Sequence, residues 1–168
     1  LFSQELESFA AFGQATINLT DTFRLTGGLR WTRDEKTNGS FTRTVNNVAA
    51  RPLAPADETT LGLEQKAEAV NWLLSAQVDV SPDVMLFATA STGFKSGGFN
   101  SEPGASSRVF NEENATTYEL GLKSTLANGD VTANVTLFQT EIDDFQERQF
   151  AGLGFVVDNA GSLRQRGV

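Results

Sequence analysis

The chain of 168 residues has no cysteine and no histidine, only four prolines and a single methionine. Without cysteine there is no disulfide framework, no thiolate metal site and no thiol nucleophile, and redox chemistry is silent about the compartment. Without histidine the commonest general base and metal ligand is missing, and with it the serine–histidine–aspartate and cysteine–histidine machineries. Positive charge is also scarce: 13 Lys and Arg face 21 Asp and Glu, a formal net charge of -8. No basic stripe is present, which excludes a nucleic-acid partner, because phosphate tracking needs clustered cations. Finally, no apolar run approaches the roughly 20 residues of a membrane helix. That absence leaves a membrane β-barrel untouched, since its lipid face is built from alternate residues.

What is present is period-two alternation. With 39% hydrophobic residues the chain has enough apolar surface to fold. Six segments read as strands closed by turn residues: Ser8 to Leu19, Thr22 to Lys36, Lys66 to Val80, Val84 to Lys95, Thr116 to Leu126 and Val131 to Thr140, with a seventh from Phe155 to Val168. In the second, Phe23, Leu25, Gly27, Leu29 and Trp31 share one face, while Thr22, Arg24, Thr26, Gly28, Arg30 and Thr32 share the other. A one-residue slip would move Arg24 and Arg30 onto the apolar side, at about 2–4 kcal/mol each if that side met mid-bilayer. The corresponding apolar positions of the other strands are 9–19 odd, 70–80 even, 84–94 even, 118–126 even and 131–137 odd. None is charged.

A soluble β-sandwich also alternates, so two further features bear on the architecture. The connections Thr20-Asp21, Ser81-Pro82-Asp83 and Ala127-Asn128-Gly129-Asp130 are short, and Asn128-Gly129 suits a tight hairpin. Between them come the long connections Thr37 to Gln65, Ser96 to Ala115 and Glu141 to Gly154. Outer-membrane barrels alternate short and long loops in this way. Large aromatics of the apolar face, Phe9, Trp31, Trp72, Phe94 and Tyr118, fall near the long-loop end, as in an interfacial girdle, with Phe23 at the other end. Catalytic patterns are poor by comparison. Gly93-Phe94-Lys95-Ser96 lacks phosphate-loop spacing, Asp143-Asp144 and Glu112-Glu113 lack calcium-loop spacing, and no strand presents two carboxylates flanked by aromatics. No enzyme, no metal site and no cofactor is expected.

The stretch Met85 to Asn100, MLFATASTGFKSGGFN, resembles the strand-to-loop segment of TonB-dependent outer-membrane receptors, a tyrosine-rich strand followed by GFKxGGFN. Phe110-Asn111-Glu112-Glu113, then Thr117-Tyr118-Glu119-Leu120-Gly121-Leu122-Lys123, is similar to that family's F-x-P-E and Y-E-x-G-x-K strings. Leu137 to Gln146, Asn159-Ala160-Gly161 and Gly167-Val168 continue the family order. Phe12-Gly13-Gln14 and Leu25 to Thr32 resemble its upstream hairpin. Asn111 departs from the family's usual proline, and the chain stops before the expected glutamate. Gly93, Gly97 and Gly98 are expected to supply positive φ or close approach where the strand bends into its loop.

The resemblance implies an all-β fold: about seven meandering antiparallel transmembrane strands, part of a larger barrel of about 22 strands. Residues 1–168 are then a partial barrel domain, with the plug domain and the last strands lying elsewhere. The implied function is TonB-dependent active uptake of a scarce nutrient such as a ferric siderophore, in the outer membrane of a Gram-negative bacterium. The implied partners are outer-membrane lipid, the nutrient ligand and, through the plug, the TonB complex. Lys95, Arg108, Gln146 and Arg148, on or beside long loops, are the ligand-binding candidates. Arg24, Arg30, Glu119 and Lys123 are expected to face the lumen or the plug. A passive porin and a soluble β-sandwich binding module remain the alternatives.

Overall fold

The computed structural model describes residues 2–43, 58–60, 62–101, 107–151 and 154–168. Among them run twelve strands: β1 (Phe2–Asn18), β2 (Phe23–Arg43), β3 (Glu58–Thr60), β4 (Leu63–Ser81), β5 (Val84–Lys95), β6 (Gly98–Phe99), β7 (Val109–Phe110), β8 (Glu113–Leu126), β9 (Val131–Asp143), β10 (Gln146–Ala151), β11 (Gly154–Asn159) and β12 (Ser162–Gly167). Seven make one antiparallel meander in the order β1-β2-β4-β5-β8-β9-β12, with β3 paired to the far end of β2. The sheet does not close on itself within this chain. Two small ladders, β6 with β7 and β10 with β11, stand off the main sheet.

The registers of the strands, each set by its own alternation, agree with one another. One cross-strand row runs Ile17, Leu25, Ala76, Ala88, Leu120, Leu137, and the next pairs Phe23 with Val78, Leu86, Leu122 and Val135. Directly opposed residues of an antiparallel pair share a face. The six apolar sets therefore merge into one continuous surface. It is not packed against anything among the described residues: Leu29 and Val70 are each 63% exposed and Leu120 58%, and the buried hydrophobics there are Ala67, Phe99 and Val156. A soluble sandwich covers such a face with a second sheet, and no second layer is present among the described residues. From Val70 to Val80, at about 3.3 Å per residue and a tilt of about 40°, the apolar stretch spans roughly 25 Å, the height of a barrel's lipid band.

The short connections are tight. Thr20 Oγ1 accepts from the Phe23 amide at 2.9 Å, and Ala127, Asn128 and Gly129 have φ of 53°, 58° and 102° in a single 3-10 turn. Asn and Gly tolerate that left-handed region, which is why this pair closes the hairpin.

Three expectations need correction. First, β1 begins at Phe2, β2 continues to Arg43, β4 begins at Leu63, β8 begins at Glu113 and β9 continues to Asp143, past the expected limits at Ser8, Lys36, Lys66, Thr116 and Thr140. Beyond Trp31 and Val70 the outward positions are charged, so the strands continue in water where apolar alternation no longer marks them. Second, the expected strand from Phe155 to Val168 is two strands. Asn159-Ala160-Gly161 turns between them, with Gly161 at φ 72°, so that β11 returns along β10 while β12 joins β9. Third, Gly93 has neither a positive φ nor a close neighbour, whereas Gly97 and Gly98 are close-approach positions. Residues 44–57 and 61 of the expected Thr37 to Gln65 loop lie outside the described residues.

Candidate functional site

The face opposite the apolar surface is polar and carries the charges expected of a lumen wall. Arg24 on β2 forms a two-pronged pair with Asp79 on β4, Nη1 to Oδ2 at 2.6 Å and Nη2 to Oδ1 at 2.8 Å, and its Nε reaches Gln77 Oε1 at 3.5 Å. Both groups are about seven-tenths buried, so this geometry fixes the β2–β4 register more firmly than an exposed pair would. Arg30 donates from Nε to Thr32 Oγ1 at 3.1 Å and lies 5.8 Å from the centroid of the Phe12 ring. Hydroxyl pairs tie neighbouring strands on the same face: Thr16 with Thr26 at 2.9 Å, Ser75 with Thr89 at 2.9 Å and Thr117 with Thr140 at 3.0 Å.

Lys123 and Glu119 flank Gly121 on β8. Lys123 Nζ lies 5.5 Å from the centroid of Phe87 on β5, and that ring covers Gly121. Glu119 has no ion-pair partner among the described residues. A Cβ at position 121 would meet the Phe87 ring at 2.3 Å. Gly121→Val is therefore expected to destabilise the wall by about 1–3 kcal/mol, and Phe87→Ala in the same chain to recover part of that loss. Urea titration of the lipid-embedded protein checks both.

On the outer face a charged row sits directly above the aromatic belt. Glu35 pairs with Lys66 at 3.0 Å, and Arg33 lies 3.6 Å from both Glu35 and Glu68. On the far side Arg164 pairs with Glu141 at 2.9 Å and Arg166 Nε donates to Gln139 at 2.7 Å. The bond from Lys66, with smaller help from the charges of Lys66 and Arg33, holds the Glu35 carboxyl below its ordinary range. The lipid band thus ends at Phe9, Trp31, Val70, Tyr118 and Leu137. Phe9 and Trp31 meet edge to face, with centroids 5.8 Å apart.

Above the band the long connections are knotted together by side-chain amides. Gln146, buried at the start of β10, donates from Nε2 to the carbonyls of Asn111 (2.9 Å), Ser96 (3.3 Å) and Lys95 (3.4 Å), and its backbone N–H donates to Glu113 Oε2 at 2.8 Å. Asn100 bonds both ways with the Val157 backbone, each at 2.8 Å, and Asn159 does the same with Asn111 while also reaching the Asp144 carbonyl at 2.8 Å. From the wall, Gln65 donates to the Phe110 carbonyl at 2.6 Å and Lys36 donates to the Gly97 carbonyl. Burial lowers the proton affinity of that ammonium, followed by opposing effects of Asp34, which raises it, and Lys95, which lowers it further.

Of the four loop candidates, Gln146 lies in this knot, and Arg108 Nη1 donates to the Asn100 carbonyl at 3.3 Å. Lys95 is 62% exposed and stands 3.9 Å from Glu113. Arg148 lies on the β10–β11 hairpin with its guanidinium carbon 4.7 Å from the centroid of Phe155. Sequence reasoning missed Lys36, Gln65, Asn100, Glu113 and Asn159. Asn100, Glu113 and Asn159 stand inside the motif strings, a signal that was available. Gln146→Ala removes three carbonyl partners at once. Faster amide exchange and proteolytic cleavage at 96–101 and 107–111 are expected, with the wall strands unchanged.

A sheet that is apolar over a lipid-sized band, polar on the other face and topped by knotted loops is a wall of an outer-membrane-type β-barrel. The family model described as TonB dependent receptor-like, beta-barrel, matches residues 2–168, and the chain belongs to that family. The pesticin receptor of Yersinia pestis is 27% identical over 164 residues, 96% of this chain and 23% of its own length. Among solved structures, the ferric yersiniabactin uptake receptor FyuA from Yersinia pestis superposes with a TM-score of 0.76 at 25% identity, covering 95% of this chain and 22% of that one. The ferric-catecholate import receptor Fiu from E. coli K12, in its closed form, superposes with a TM-score of 0.72 at 18% identity, covering 98% and 25%, a likeness of fold. The chain thus spans about a quarter of the length of these relatives. The family consists of receptors and transporters of the Gram-negative outer membrane, not enzymes.

Proposed function

We propose that the chain forms part of the barrel wall of an outer-membrane receptor that takes up a scarce nutrient, a ferric siderophore, by TonB-dependent active transport. The family match over residues 2–168 carries this reading. The names of the relatives, a ferric yersiniabactin uptake receptor and a ferric-catecholate import receptor, support the cargo. In this account residues 1–168 belong to a barrel of about 22 strands whose lumen a plug domain fills. Arg30, Glu119 and Lys123 face the plug, and Arg24, paired to Asp79, stiffens the wall beside it. Lys95 and Arg148 meet anionic groups of the cargo, while Gln146 and Arg108 hold the loops that present them.

The test is uptake of radioactive iron as ferric siderophore by iron-starved Gram-negative cells whose only siderophore receptor is the intact protein carrying this chain. Uptake that disappears when TonB is deleted is expected. Uptake that persists without TonB identifies a passive channel and overturns the proposal.

A further inference from the structure

The β10–β11 hairpin carries two phenylalanines that water leaves more than half exposed. Phe150 and Phe155 are directly paired across the hairpin, 65% and 55% exposed, with ring centroids 5.4 Å apart in an edge-to-face contact. Arg148, two residues before Phe150 on the same face, holds its guanidinium carbon 4.7 Å from the Phe155 ring centroid. A guanidinium drawn to a ring face keeps N–H donors for an acceptor, and Arg148 has no ion-pair partner among the described residues. Both rings and the cation are thus exposed on this chain.

The base of the same face is tied down by hydrogen bonds. It continues through Val157 to Gln146 and Asn159, the two amides that tie the hairpin to the Ser96, Asn111 and Asp144 carbonyls, while Asn100 clamps Val157 from the β6–β7 side. Ties at the base reduce the ordering cost that a floppy loop would add to binding.

We infer that Arg148, Phe150 and Phe155 form a recognition site for an anionic arene, a ring bearing a carboxylate or phenolate. The ring packs against the two phenylalanines, and the acidic oxygens take two parallel bonds from the Arg148 edge. The inference rests on the receptor reading and sharpens it: the cargo is an iron complex with aryl ligands, not one with purely aliphatic hydroxamates.

The experiment uses the purified intact receptor and two probes, the ferric complexes of 2,3-dihydroxybenzoate and of acetohydroxamate, with binding read by calorimetry. The aryl complex is expected to bind at least about tenfold more tightly than the hydroxamate complex. Arg148→Lys keeps the charge but loses the fork, and Phe155→Leu keeps apolar bulk but loses the ring. Each is expected to weaken aryl binding by about tenfold, as central arginine and aromatic contacts do. Equal binding of the two complexes, no binding of the aryl complex, or aryl binding indifferent to both substitutions overturns the inference. Those results leave the receptor reading standing if iron uptake still depends on TonB. TonB-independent uptake brings that reading down whatever the probes do.

Discussion

Replacing Leu74 by Arg is expected to destabilise the protein in a bilayer by about 2–4 kcal/mol, whereas Arg at the adjacent Leu73 costs far less. Leu74 stands near the middle of the Val70–Val80 stretch, 56% exposed on the apolar face between Gly27 and Ala90. A guanidinium there must leave water for hydrocarbon or drag lipid headgroups and water inward. Leu73 faces the other way, between Gly28 and Ser91 and one row from Asn71 and Arg30, where a cation stays hydrated. Two neighbouring residues of equal chemistry thus separate the two faces, with helix or strand propensity and chain position held constant. Urea titration of the protein refolded into lipid vesicles measures both, and similar losses at 73 and 74 would contradict the assignment of faces.

The second large effect is expected at Gly97. A Cβ there would lie 2.1 Å from the Phe110 carbonyl oxygen, 2.8 Å from the Asn111 carbonyl carbon and 2.0 Å from Gln65 Nε2. Two of the three neighbours are backbone, so the clash cannot be relieved by turning one side chain. The β6–β7 ladder must move, and the bonds from Gln65 to Phe110 and from Lys36 to Gly97 break with it. Gly97→Ala is expected to cost the loop knot several kcal/mol, from overpacking of about 1–3 kcal/mol and about 1–3 kcal/mol for each buried polar group left unpaired. The strands below do not depend on these bonds. Rapid proteolysis of the outer loops with preserved resistance of the lipid-embedded wall is the expected pattern, and wild-type protection of residues 96–101 and 107–111 would refute the close-approach role.

What was legible in the sequence follows from which forces repeat. The alternation of β5 gave its bounds, Val84–Lys95, without error, and the faces of β1, β2, β4, β8 and β9 agree in their paired rows except at Ser81 with Val84, where the register shifts at the end of β4. A lipid face repeats every second residue, so a slip of one position is visible. Above the belt the alternation persists but its chemistry changes: Arg33, Glu35, Lys66 and Glu68 face outward and pair with each other, and apolar periodicity cannot report strands made that way. The knot was harder still. Its bonds run from single Asn, Gln and Lys side chains to backbone carbonyls far along the chain, Asn100 to Val157 and Gln146 to Ser96, and nothing in local sequence encodes such partners. Arg24 was readable as an inward cation, whereas its pairing with Asp79 required the β2–β4 register. The split of the last expected strand turned on one residue, Gly161, whose φ of 72° reverses the chain where alternation alone continues straight on.

The central claim is that even and odd residues of β4 meet different solvents, lipid and water. This chain has no cysteine, so labelling sites can be introduced one at a time from Val70 to Val80 in the intact protein, with any cysteine elsewhere in it replaced. Each nitroxide-labelled variant in a bilayer is scored for collision with oxygen, which concentrates in hydrocarbon, and with a water-soluble nickel chelate. A period-two oscillation is predicted, with oxygen accessibility high at 70, 72, 74, 76, 78 and 80 and low at 71, 73, 75, 77 and 79. A flat profile, or one in which the even positions collide with the nickel chelate, would contradict the account.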